Sequence, residues 1–136
     1  MESLTLKVRI AVLWLLLAVA MSASMVLGFM EPGIIEEIMA GEIEGWQISA
    51  GLLLFFALFW LIPLTMAFLS VTLKDSPNRR TNIILGIIFT VWNIFHLLSH
   101  LVQGQLPLNH LVIGLWTIVV AALIAWHAWK WPKQEA

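Results

Sequence analysis

The sequence predicts an all-α integral membrane four-helix bundle, up-down-up-down, with a short amphipathic surface helix between helices one and two. Three observations predict it. Hydrophobic residues make up 61% of the 136 residues and charged ones 11%, against roughly 45–50% and about 25% in an ordinary soluble domain. Four apolar stretches are each long enough to supply the about 20 helical residues that cross a hydrocarbon core. All seven Lys and Arg fall on one side of the resulting topology.

The spans cover about residues 10–30, 48–73, 83–102 and 108–129 of a single domain. Lipid offers the backbone no water, so each should be a helix. The first stretch shares features with a cleaved signal peptide, since Lys7 and Arg9 form a positive head and Ala18-Val19-Ala20 imitates a cleavage site. Its apolar run continues to Met30, longer than a signal core, and it is read as a span. Lys7 and Arg9 precede the first helix, Lys74, Arg79 and Arg80 lie between the second and third, and Lys130 and Lys133 follow the fourth. Cytoplasmic loops concentrate Lys and Arg, so both termini and the second loop are expected on the cytoplasmic side of a cell membrane.

The first loop, residues 31–47, is acidic, with Glu31, Glu36, Glu37, Glu42 and Glu44 and no base. Pro32 suits the start of a helix and Gly41 its end. Between them Ile34, Ile35, Ile38 and Met39 recur at helical spacing, with Glu36 and Glu37 opposite. This reads as a helix on the outer surface, apolar face down. It serves as a solvated closure of the bundle or as an acidic patch that gathers cations. Residues 74–81 form a short polar turn in which Ser76 before Pro77 interrupts the helix. The third loop, residues 103–107, is equally short. Short loops make helices two and three, and then three and four, antiparallel neighbours.

Several features need no function. Ala20, Ser24 and Gly28 on helix one, and Gly114, Ala121, Ala125 and Ala128 on helix four, are small residues suited to close helix packing. Pro63 inside helix two leaves the Phe59 carbonyl without its usual donor. Trp46, Trp126, Trp129 and Trp131 read as an interfacial belt, with His127 among them. Trp14, Trp60, Trp92 and Trp116 lie deeper, lining a cavity or filling volume.

One stripe can carry chemistry. Asn93, His96, His100 and Gln103 are spaced three, four and three apart and share one face of helix three. Polar residues in a membrane are costly and face the bundle interior or water. With the midpoint near Trp92, His96 lies about 6 Å and His100 about 12 Å outward, at a rise of about 1.5 Å per residue. Helix four brings Asn109 and His110 back to that level. The candidate ligand-binding residues are therefore Asn93, His96, His100 and His110. His96 and His100, four apart on a helix, can share a divalent metal, with His110, Glu36 or Glu37 adding ligands. The plainer account is hydrogen bonding between helices. Haem held by both histidines is disfavoured, because axial ligands approach from opposite faces.

Other chemistry is excluded or disfavoured. With no cysteine there is no disulfide, thiolate metal site or Cys nucleophile. A net charge of −1 with scattered bases gives no nucleic-acid footprint. No Asp or Glu lies within a span, which disfavours proton-coupled cation export, although His96 could relay a proton. No G-x-S-x-G elbow, phosphate-cradling glycine loop or intramembrane carboxylate pair supports an enzyme.

Pro32-Gly33 is followed by Glu37-Ile38-Met39 and Gly41, and Gln47-Ile48 by Gly51. Ile62-Pro63 and Met66, Leu73-Lys74, Asn78-Arg79, and Asn82-Ile83-Ile84 with Gly86 continue a pattern over nearly half the chain. On these residues the chain resembles a family of small four-helix integral membrane proteins of bacteria and archaea, catalogued as a domain of unknown function. The resemblance implies the same bundle and a membrane location. It implies no activity and no site residues, and His96 and His100 lie outside the pattern.

Two readings of function follow. One is a non-enzymatic module whose partner is the lipid bilayer together with further copies of itself or a membrane complex. The other is a binding or transport protein with a small-molecule or metal site in an outer-leaflet cavity around Asn93, His96, His100 and His110.

Overall fold

Four helices are long and apolar enough to cross a membrane: α1 (Glu2–Gly28), α3 (Ala50–Thr72), α4 (Asp75–Val102) and α5 (Leu108–Trp129). The computed structural model describes residues 2–104 and 106–132, so Lys133 lies outside the described residues. Between α1 and α3 come a short helix α2 (Ile34–Met39) and a hairpin of β1 (Glu42–Ile43) and β2 (Trp46–Gln47). The outer faces stay apolar, with Leu58, Leu61 and Phe68 on α3 and Ile84, Val91 and Phe95 on α4 exposed. Such surface suits lipid.

Two helices outrun their apolar stretches at the basic end. α1 already starts at Glu2, and α4 starts at Asp75, about two turns before Ile83. Pro77 is the third residue of α4, where a backbone N–H has no intrahelical acceptor to lose. The turn expected over residues 74–81 therefore shrinks to Leu73 and Lys74, both extended, with ψ of 152° and 151°. α3 opens on Ser49, whose hydroxyl accepts the Leu52 N–H at 3.2 Å.

α4 and α5 run in opposite senses, because Gly86 lies against Ala125 and Gly114 against Leu97. α1 packs on α3 and α5. α3 and α4 share the shortest link yet approach each other little. Aromatic rings stand between them: Phe59 stacks on Phe89 at 4.7 Å, and Trp92 lies 5.2 Å from Phe59.

Burial is concentrated in the half of the bundle nearest the basic residues. Ile10, Trp14 and Leu17 of α1 meet Met66 of α3, Phe89 of α4, and Val120 and Ile124 of α5. A polar network threads this core. Trp14 Nε1 donates to Asn82 Oδ1 at 2.6 Å, and Asn82 Nδ2 donates to Asn78 Oδ1 at 2.7 Å. Asn78 Nδ2 donates to the Ser70 carbonyl at 2.7 Å, and the Ser70 hydroxyl to Asn82 Oδ1 at 3.3 Å. Beside it Lys7 Nζ meets Asp75 Oδ1 at 2.8 Å and the Leu73 carbonyl at 2.9 Å.

Trp131 departs from the interfacial belt. It is 3% exposed, turned back into the core, with its backbone N–H bonded to the Ala128 carbonyl at 3.3 Å. Trp14 fills volume at the centre of the core, whereas Trp116 faces outward. A Cβ at Gly28 would meet nothing within 4 Å, so the small stripe of α1 is no close helix contact at that end.

Candidate metal centre

The opposite, acidic end is where α4, α5 and loop one converge. Loop one is less helical than its isoleucine spacing predicts. α2 holds six residues, none buried, and Gly41 at φ 84° ends it. The chain then folds back as the hairpin, pairing Glu42 with Gln47 and Ile43 with Trp46. The Ile48 N–H closes it on the Gly41 carbonyl at 2.8 Å. Its two-residue turn is Glu44-Gly45, with φ of 50° and 78°. Two positive φ angles in a two-residue hairpin define a type I′ turn, which favours Asn-Gly or Asp-Gly. Glu44 is the one non-glycine residue with positive φ among the described residues.

That strained turn points a carboxylate at α4. Glu44 Oε2 lies 3.8 Å from His96 Nε2, and Glu44 Oε1 lies 3.7 Å from His100 Nε2. Both contacts are too long for hydrogen bonds. One ligand atom from each of Glu44, His96 and His100 lies within 4.8 Å of the others. Around a tetrahedral ion with bonds of about 2.0–2.1 Å, ligands stand about 3.3 Å apart. The set is open by up to about 1.5 Å relative to that spacing. The Glu44 carboxyl is held below its ordinary 4.5 chiefly by His96 beside it, with the charges of His100 and His110 adding and burial opposing.

The third histidine continues the cluster. The His100 ring stands 4.7 Å from that of His96 and 4.7 Å from that of His110. His110 opens α5, and its Nε2 lies 2.8 Å from Glu31 Oε1. Nε2 of both His100 and His110 is buried without a hydrogen-bond partner. Asn109 Nδ2 donates to the same Glu31 oxygen at 2.8 Å, which ties α5 to the end of α1.

Not every candidate joins. Asn93 spends its amide on the Phe89 carbonyl one turn back, at 2.7 Å, and makes no hydrogen bond to the imidazoles. Gln103 is exposed beyond the end of α4. The acid that reaches the α4 histidines is Glu44 rather than Glu36 or Glu37, which lie on exposed α2. The missed signal was Glu44-Gly45 between the β-prone Ile43 and Trp46, a hairpin pattern with Glu in the place of Asp.

Chemically, two imidazoles and one carboxylate suit zinc or another divalent first-row metal and leave a fourth position for water or a small ligand. The arrangement defines a class, a helical bundle with an apolar exterior and an imidazole–carboxylate cluster at one end. The model of a family of unknown function (DUF6326) matches residues 5–136, and the chain belongs to that family. No curated protein and no solved structure matches it. Of the residues that carry the sequence resemblance, Pro63, Met66, Asn78, Asn82 and Gly86 lie in the buried half, whereas Gly41, Gln47 and Ile48 close the hairpin that holds Glu44.

Proposed function

We propose that this chain is a multi-pass membrane protein that binds a divalent transition-metal ion on its non-cytoplasmic face, through Glu44, His96 and His100. The observation that carries the reading is the convergence of these three ligands, from a hairpin tip and one helix face, within 4.8 Å. The strained backbone at Glu44 supports it, since a residue held in the left-handed region costs stability and concentrates at functional sites. The buried, unpartnered imidazole nitrogen of His100 supports it too, because such an atom is costly unless something fills its valence. His110, whose ring stands 4.7 Å from that of His100, lies beside the three ligands with Glu31 against it. The orientation is supported by Lys7, Arg9, Lys74, Arg79, Arg80 and Lys130 at one end of the bundle and the five glutamates of loop one at the other.

The test is metal analysis of protein purified in detergent on a tag without histidine, after incubation with zinc and removal of excess. One zinc per chain is expected. His96→Ala with His100→Ala should lose it, and Glu44→Gln should weaken binding by about a hundredfold or more, at least what loss of an outer-shell partner costs. Folded protein that retains no zinc, or variants that retain it equally, would overturn the reading.

A further inference from the structure

The other end of the bundle offers a second, separate site. Between α4 and α5 runs an open groove of about 320 Å³, walled by Ile83, Ile87 and Val91 on one side and by Ala122, Trp126 and Trp129 on the other. From Ile83 to Val91 it extends about 12 Å along the helix. Its lining carries no charge. The one hydroxyl, of Thr90, is spent on the Gly86 carbonyl at 2.7 Å, so the groove offers a ligand nothing but apolar contact. It is shallow because Gly86 brings α4 so close to Ala125 that a Cβ there would stand 2.8 Å from the Ala125 nitrogen.

Two cations close the groove at the basic end. Arg79 precedes Ile83 by one turn on the same face of α4, and its guanidinium donates to the Trp129 carbonyl at 3.3 Å. Arg79 Nε is buried without a partner. Lys130, the next residue after that carbonyl, holds Nζ 4.1 Å from the centre of the Trp126 ring. Lys7 is neutralised by Asp75. Arg79 and Lys130 meet no carboxylate among the described residues. An apolar groove thus ends at two cations, framed by tryptophan, that meet no carboxylate among the described residues.

We propose that this groove seats an anionic phospholipid, with one acyl chain between α4 and α5 and the phosphate between Arg79 and Lys130. Charge complementarity decides the occupant. A neutral lipid would fill the slot and leave both cations unanswered, while a free anion would answer the cations and leave the slot empty. On the positive-inside orientation proposed above, this end faces the cytoplasmic leaflet, which supplies anionic lipids. The site is independent of the metal centre.

Native mass spectrometry of the purified protein in mixed micelles tests it, with phosphatidylglycerol against phosphatidylcholine. One phosphatidylglycerol should survive delipidation in preference to phosphatidylcholine. Arg79→Gln with Lys130→Gln should lower that preference by about thirtyfold, each surface cation contributing about fivefold. Lys130→Gln alone should lower it about fivefold, which keeps the test valid if loss of Arg79 frays α5. Ala122→Trp, at an exposed groove position, should displace the lipid while leaving the charges in place. Equal retention of both lipids by the wild type, unchanged retention in these variants, or equal protection by inorganic phosphate would overturn the proposal. His96→Ala should leave lipid retention untouched.

Discussion

Replacing Glu44 by Asn separates what the hairpin turn wants from what the metal centre wants. Glu44 sits at φ 50°, a conformation that costs a residue with a Cβ about 1–2 kcal/mol and that Asn tolerates better. The substitution also removes contacts of 3.8 and 3.7 Å to His96 and His100, from a carboxylate 42% exposed. At that exposure such contacts are worth about 0–1 kcal/mol. Without metal the two effects offset, and stability should stay within about 1 kcal/mol of wild type. With metal they do not. At a concentration a hundredfold above Kd, the ion stabilises wild type by about 2.7 kcal/mol. A hundredfold weaker site at the same concentration gains only about 0.4 kcal/mol. The missing roughly 2.3 kcal/mol should appear as a zinc-induced rise in melting temperature that falls short of wild type by about 5–15 °C. Thermal unfolding in detergent, with zinc and with chelator, measures both numbers. Equal zinc-induced shifts in the two proteins would refute Glu44 as a ligand. A loss of several kcal/mol without metal would refute the account of the turn.

Three further outcomes follow from the packing and the topology. Gly86→Ala should cost about 1–3 kcal/mol as an overpacked contact, because its Cβ would meet Ala125 backbone. Gly114→Ala, which meets only the mobile end of Leu97, should cost less in the same unfolding assay. Asn82→Leu should cost about 1–3 kcal/mol, since it leaves Trp14 Nε1 without its acceptor in the buried core, and tryptophan fluorescence should register the change. The chain has no cysteine, so single replacements report topology directly. Glu36→Cys should react with an impermeant maleimide from outside intact cells, and Ser76→Cys only after lysis.

The sequence by itself determined the four apolar helices and the segregation of basic from acidic ends, because both depend on length, hydropathy and charge. Those properties accumulate over a segment and need no knowledge of its neighbours. The shared face of His96 and His100 was equally legible, since helical period alone sets it. The tertiary structure decided which acid meets them. Glu44 reaches across only because a two-residue hairpin turns the loop back, a feature too short to outweigh the helical spacing of the isoleucines before it. It also decided which partners Asn78, Asn82 and Gly86 serve, and that α3 and α4 stay apart despite their short link. Ring volume at Phe59, Phe89 and Trp92 governs that separation. Connection length limits how far helices can part, while side-chain volume sets how near they come.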